Sequence, residues 1–193
     1  MARTREFDPA TALDAAMKVF WRNGYYATSI EDLVEATGVS RYGLYGVYEN
    51  KHGLFLAALD HYMTTVVGEL ASVLHQQDAS LDAIKNFVSR LGEFAAKPSG
   101  RIGCLLWNTA SEVAPHDKVA ARKVAEFRTY LSTGFEAALC TAVARGELSG
   151  GFDSKREADF LAGVVQTLAA LARSHAEPRV ITNFVSVSLG TLV

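Results

Sequence analysis

Between Thr28 and Phe55 the chain reads "TSIEDLVEATGVSRYGLYGVYENKHGLF", and three helix-start signals crowd into it, at Thr28, Ser40 and Asn50. Starts this close together leave room only for two very short helices before a third begins. Thr28 with Glu31 fits a capping box, in which the hydroxyl meets a backbone N–H and the acid reaches back. Ile30, Leu33 and Val34 give the first short helix an inward face. Gly38 supplies a positive-φ corner, and Val39 fills the angle behind it. Ser40 opens the second short helix, "SRYGLYGVY", and Asn50 caps the one that begins at Lys51.

Elsewhere the pattern is helical throughout. Sustained period-2 alternation is missing, and no Asn-Gly or Asp-Gly turn lies between β-branched runs. Leu13, Met17, Phe20 and Trp21 recur at three- and four-residue steps behind an Asp8–Pro9 start, and Gly24 closes that helix. Residues 50–77 read as one long helix with Leu54, Leu56, Leu59, Met63, Val66 and Leu70 inward. Further helices are expected over 81–97, 101–114, 117–146, 154–176 and 179–192, with Asp117 and Asp153 or Ser154 as caps. The expected fold is all-α: a three-helix N-terminal unit of residues 1–66 continuous with a larger bundle of 67–193, about nine helices in all. With 49% apolar and 21% charged residues, the composition is that of a globular chain. The opening "MARTREFDPA" lacks the apolar core of a secretory signal. No uninterrupted apolar run is long enough to span a membrane. Cys104 and Cys140 lack a disulfide pattern. A cytoplasmic protein is expected.

Two short helices at a steep angle about a glycine turn make a helix-turn-helix. The second helix lies in the major groove and presents its first residues to base edges. Arg41, Tyr42, Gly43, Tyr45 and Val47 can face outward while Leu44 faces the core. Tyr45, Tyr48 and Lys51 suit phosphate oxygens, as do Thr28 and Ser29 at the start of the first short helix. Bulk charge does not supply nucleic-acid affinity. The net charge is −2, and residues 1–51 hold six basic against seven acidic side chains. Binding therefore depends on Arg3, Arg5, Arg41 and Lys51 sharing one face. Arg3 and Arg5 read either as a minor-groove arm or as a solvated tail.

Phe7 to Leu59 resembles the DNA-binding domain of the TetR family (AcrR-like). The resemblance rests on "TSIEDLVEATGVS", "GLY", Tyr48 and "KHGLF" at the family's spacing. It implies a ligand-responsive transcriptional regulator, a repressor in the commoner sense, acting as a homodimer on palindromic double-stranded DNA. It makes Ser40 to Tyr45 the recognition positions, with Arg41 and Tyr42 as base readers and Tyr45 and Lys51 as phosphate contacts. Tyr48 stands where the family carries a core aromatic. Gly43 stands where Thr or Ser is commoner, and Gly46 weakens the helix by about 1 kcal/mol relative to Ala.

For the rest of the chain, "EADFLAGVVQTLAALARSH" is apolar nearly all round and must be buried by something. Either Phe160, Val164, Leu168 and Leu171 meet a second copy, as the resemblance implies together with the last helix, or they form an intrachain core. Cys104, Asn108 and Glu112 fall at i, i+4 and i+8 on an otherwise apolar helix. They either line an effector cavity with Met63, Phe94, Trp107, Phe127 and Tyr130 as apolar walls, or face solvent and neighbouring helices. Cys104 reads as a small buried hydrophobe, with two alternatives: a thiol sensor, or a soft-metal ligand with His116 or Met63. His61, His75 and His116 lack metal-ligand spacing. No cofactor is implied. An enzyme built on Cys104, His116 and Asp117 or Glu112 lacks oxyanion donors and an orienting third group. A helical adaptor would leave Arg41, Tyr42 and Tyr45 idle.

Overall fold

A computed structural model describes residues 7–192. Among them every regular element is helical. α1 (Pro9–Asn23), α2 (Ile30–Thr37) and α3 (Arg41–Tyr48) precede a long rod built from α4 (Lys51–Tyr62), a π-type turn (Met63–Val67), α5 (Gly68–Ala71) and a 3₁₀ turn (Ser72–His75). α6 (Leu81–Ala95), a 3₁₀ turn (Pro98–Ile102), α7 (Leu105–Glu112), α8 (Lys118–Ala144), α9 (Ser154–Arg173) and α10 (Pro178–Leu189) complete the bundle. With α4 and α5 taken as one rod, the described residues form nine helical segments.

The helix starts are mostly set by the expected caps. Asp8 accepts from the N–H groups of Ala10 and Thr11. Ser40, Asn50, Asp117 and Asp153 cap α3, α4, α8 and α9 in the same way. The capping box of α2 lies one residue later than expected. Ser29 Oγ accepts from Asp32 N–H at 3.0 Å, and Asp32 accepts from Ser29 N–H at 2.7 Å. Thr28 is instead buried and donates its hydroxyl to Gly24 O at 2.6 Å. A carbonyl inside the turn therefore claims Thr28 before α2 begins.

The rod also differs from its expected inward face. Leu54, Phe55, Ala58, Leu59 and Tyr62 are buried, then Val67, Ala71 and Leu74. Leu70 is exposed, and Leu56, Met63 and Val66 are only half-buried. The step of five from Tyr62 to Val67 is the π-type turn, where Gly68 N–H donates to Met63 O. Thr64 and Thr65 place their hydroxyls on the carbonyls of Asp60 and His61, holding the loosened turn. One extra residue in the turn rotates everything beyond it by about 100°, so straight α periodicity misplaced the face.

α3 ends in a γ-turn. Asn50 N–H donates to Tyr48 O at 2.7 Å, and Glu49 sits at φ +68°, ψ −50°. That conformation is strained for a side-chain-bearing residue. It brings the α3 end directly onto the α4 start. Tyr48 ties the same corner to α1 by donating to Pro9 O at 3.2 Å. Leu33, Leu44 and Leu54 are fully buried and join the four helices beneath.

Side chains from the C-terminal bundle grip this N-terminal unit. Glu112, at the end of α7, accepts from the N–H groups of Tyr25 (3.1 Å) and Tyr26 (2.8 Å). Trp21 Nε1 donates to Gly103 O at 3.0 Å, and Arg173 donates to Arg22 O at 3.0 Å. His52 meets Asp117 at 2.5 Å, and Lys123 pairs with Asp60. α8 and α9 form the broadest helix pair of the bundle, and α6 packs on α8, α9 and α10.

Gly24 makes the Glu112 contact possible. Its φ of +87° with ψ of 176° is a conformation nearly reserved for glycine, and a Cβ there would stand 2.6 Å from Glu112 Oε2. Gly38 also has positive φ, but a Cβ on it would meet open space. Gly24→Ala is therefore expected to lose clearly more stability than Gly38→Ala, on the order of 1–3 kcal/mol for backbone strain plus the displaced carboxylate. Urea denaturation of both variants against wild type measures it.

Candidate nucleic-acid interface and effector cleft

α3 is two turns long, and its sequence divides it cleanly. Leu44 is fully buried, Gly43, Tyr45, Val47 and Tyr48 are half-buried, and Arg41 and Gly46 are exposed. Tyr42 is 85% exposed, the most accessible of the large hydrophobic side chains. The Arg41 guanidinium lies 5.3 Å from the Tyr45 ring centroid. Arg41, Tyr42, Tyr45 and Gly46 border a shallow surface recess. Ser40 Oγ accepts from Gly43 N–H at 3.2 Å, so this exposed hydroxyl also fixes the helix start.

Other expected contacts sit differently. Thr28 turns inward, as described, and cannot present its hydroxyl to a phosphate. Ser29 remains exposed at the α2 start. Lys51 is half-buried, with Nζ 4.6 Å from the Tyr25 ring centroid. Burial lowers its pKa, while Glu112 and Asp32 oppose that shift. Gly43 proves to be a packing residue: a Cβ there would stand 2.8 Å from Val39 Cγ1. Tyr26, 60% exposed beside the α2 start, escaped sequence reasoning. Its repeated aromatic in "GYYATS" was the available signal. Arg3 and Arg5 lie outside the described residues.

A second feature is a cleft of about 620 Å³ between the rod, α6, α8 and α9. Phe94, Cys104 and Phe127 line it, joined by residues not expected there, among them Trp21, Tyr62 and Arg90. The remaining expected wall residues lie elsewhere. Trp107 is buried against Phe127, ring centroids 4.9 Å apart, with Arg128 over its face. Asn108 donates to Ile102 O at 3.1 Å and secures the turn before α7. Glu112 holds the α1–α2 turn. Tyr130 stacks on His75 at 4.1 Å. Met63 lies on the π-type turn and does not border the cleft. The stripe failed because α7 begins at Leu105, which leaves Cys104 as its N-cap rather than part of its face.

Burial pushes the Cys104 thiol pKa up, although the Trp107 and Leu106 N–H groups and Tyr62 partly counter it. Desolvation raises the Tyr62 hydroxyl well above its ordinary value. Both groups are therefore protonated near neutral pH. A protonated thiol is a weak nucleophile and metal ligand.

The α9 reading is corrected as well. Val164 and Leu168 are buried within the chain, and Leu171 is half-buried. The face left open carries Phe160, Gly163 and Ala170. On α10, Val180 and Val187 are exposed, the latter by 74%.

α3 carries two glycines whose substitutions should act oppositely. Gly46→Ala meets nothing within 4 Å and is expected to stabilise by about 0.5–1 kcal/mol through helix propensity. Gly43→Ala should destabilise by crowding Val39. Thermal melts of the two single variants read the opposite signs.

Comparison with known proteins matches this arrangement along nearly the whole chain. Residues 12–58 match the model for bacterial regulatory proteins of the tetR family. Residues 80–187 match the tetracyclin repressor-like C-terminal domain. The HTH-type transcriptional repressor ComR of Escherichia coli is 32% identical over 90% of this chain and 83% of its own length. The uncharacterized HTH-type transcriptional regulator YezE of Bacillus subtilis is 32% identical over the full length of both. Among solved structures, a cysteine mutant of the TetR family regulator CifR complexed with 26-bp double-strand operator DNA superposes with TM-score 0.83 at 26% identity. That match covers 97% of this chain and 98% of the other. A capped, outward-facing α3 and matches to both halves together make this chain a DNA-binding transcriptional regulator of the TetR family.

Proposed function

We propose that the protein is a homodimeric repressor that holds a palindromic operator through two α3 helices and releases it when a small molecule fills the cleft. Residues 1–66 form the DNA-binding part and 67–193 the effector and dimer part. The protein works in the cytoplasm, where its DNA is, and serves as a regulator rather than an enzyme. The observation that carries this reading is the outward presentation of Arg41 and Tyr42 on a helix anchored by Leu44. ComR of Escherichia coli, 32% identical to this chain, bears the name of a repressor, which supports repression as the sense of the response.

One two-turn helix touches too few base pairs to specify a genomic site, so a second copy is needed. Two-fold pairing sets half-sites about 34–36 Å apart, or at a comparable fixed spacing. The exposed Phe160, Gly163 and Ala170 of α9, with Val180 and Val187 of α10, supply an apolar, closely approachable surface for that pairing.

Transmission has a short path. Cys104, at the start of α7, borders the cleft, and Glu112, at its end, grips the α1–α2 turn. Trp21 of α1 also lines the cleft. An effector that seats better with α7 displaced favours a different spacing of the reading helices. Only such a difference in affinity shifts the equilibrium.

Selection of duplexes from a random pool tests the DNA reading. Wild type should enrich a two-fold symmetric sequence. On it, Arg41→Ala or Tyr42→Ala should weaken binding by about 1–3 kcal/mol. The neutral Tyr42→Ala should leave non-specific binding nearly unchanged, whereas Arg41→Ala, which removes a cation, should weaken that too. Enrichment of no sequence would remove the proposal. Val187→Asp should convert the dimer to monomer in sedimentation and abolish operator binding, with helical content unchanged by circular dichroism.

A further inference from the structure

We infer that the cleft takes an amphipathic anion, a molecule with an apolar body and one carboxylate- or sulfonate-type head held by Arg90. The inference rests on reading the cleft as the effector site and adds the chemical class of the occupant. Trp21, Phe87, Phe94, Phe127, Leu131 and Leu168 make the interior apolar and largely aromatic. A volume near 620 Å³ is in the range that encloses a drug-sized molecule, roughly 300–1,000 Å³.

The polar lining decides the head group. Asn86 and Arg90 stand one turn apart on α6, both exposed to solvent where they border the open edge of the cleft. Among the described residues neither side chain has an ion pair or hydrogen bond. At the cleft's edge a planar guanidinium, with an amide one turn away on the same helix, is free to bind a carboxylate or sulfonate while the apolar body lies inside. The protonated Tyr62 hydroxyl is a further neutral group along the same cleft. Glu69, from α5, is the one acid in the lining. It repels an anion from the rod side and favours placing the head on α6. A cationic ligand would invert this arrangement, resting on Glu69 and shunning Arg90.

Two fluorescent probes of similar body separate these cases: 1-anilinonaphthalene-8-sulfonate, which is anionic, and N-phenyl-1-naphthylamine, which is neutral. Each is titrated into the full chain as wild type, Arg90→Gln and Glu69→Gln, with folding checked by circular dichroism. Wild type should bind the anionic probe saturably, and dodecanoate should displace it. Arg90→Gln should weaken that binding roughly tenfold or more and leave the neutral probe unchanged. Glu69→Gln should leave the anionic probe as tight or tighter. The inference fails if Arg90→Gln has no effect, if it weakens both probes equally, or if Glu69→Gln weakens the anionic probe. Release of operator DNA by dodecanoate is a separate readout. Arg90-dependent binding without release would keep the anion site and overturn the effector role. Release by dodecanoate that ignores Arg90 would keep the effector role and overturn the anion site.

Discussion

The Glu112 carboxylate, accepting two backbone N–H groups from the α1–α2 turn, ties the end of α7 to the main chain of the N-terminal unit. Hydrogen bonds to an ionised acceptor contribute more than neutral ones, about 1.5–3 kcal/mol each. A carboxylate that binds main chain also fixes position in a way that side-chain packing does not. The surrounding residues are arranged to admit it. Gly24 leaves room, and Tyr25 packs on Phe20 and Phe55. Lys51 lies over the Tyr25 ring within the attraction of Glu112. The end of α7, the α2 approach and the start of α4 are thereby linked through one cluster. A shift of α7 must either drag the turn with it or expose two backbone donors.

Rigidity within the reading unit has a different origin. The α2–α3 angle rests on Gly38 and on buried Val39, against which Gly43 packs without a side chain. The α3–α4 angle rests on the γ-turn at Glu49, strained locally and held by the Tyr48 bond to Pro9. α3 contains Gly43 and Gly46, so its own propensity is poor. Its geometry comes from both ends, the Ser40 cap and the γ-turn, with Leu44 pinned between. A helix fixed this way can be short and still present Arg41 and Tyr42 at a defined angle.

Much of this was legible in the sequence because capping is local. Asp8, Ser40, Asn50, Asp117 and Asp153 mark helix starts with chemistry that acts within three residues, and the structure uses all five. Inward faces were legible where helices are regular, as with Leu33 and Leu44. Three features escaped. The π-type turn changes the face by inserting a residue, and no composition signal announces it beyond the paired Thr64 and Thr65. The roles of Asn108 and Glu112 depend on backbone groups 6 and 87 positions away in sequence, which periodicity does not see. The burial of Val164 and Leu168 follows from α9 packing on α8 and α6. An apolar helix declares that something covers it, not which side faces its own chain.

The acidic balance of the first 51 residues looks unfavourable for a phosphate-binding surface, and the structure shows how part of it is taken up. Asp8 caps α1, and its hydrogen bonds lower its pKa. Asp32 is bound to Ser29, which lowers its pKa too. Asp14 pairs with Lys18 and lies beside His61. Each of these carboxylates faces donors of its own unit, so its field at a distance is reduced by an adjacent N–H dipole or cation. Glu31, Glu35 and Glu49 stay exposed and oppose a phosphate backbone wherever they approach it. Such a balance is expected to give weak non-specific attraction with a shallow salt dependence, the slope being about 0.9 per neutralised phosphate. Arg41 and Tyr42 are the groups that α3 holds out to solvent, and the proposed reading of DNA rests on them. A surface with little general attraction for DNA and a rigid, aromatic reading helix favours discrimination between sequences over tight binding to any of them.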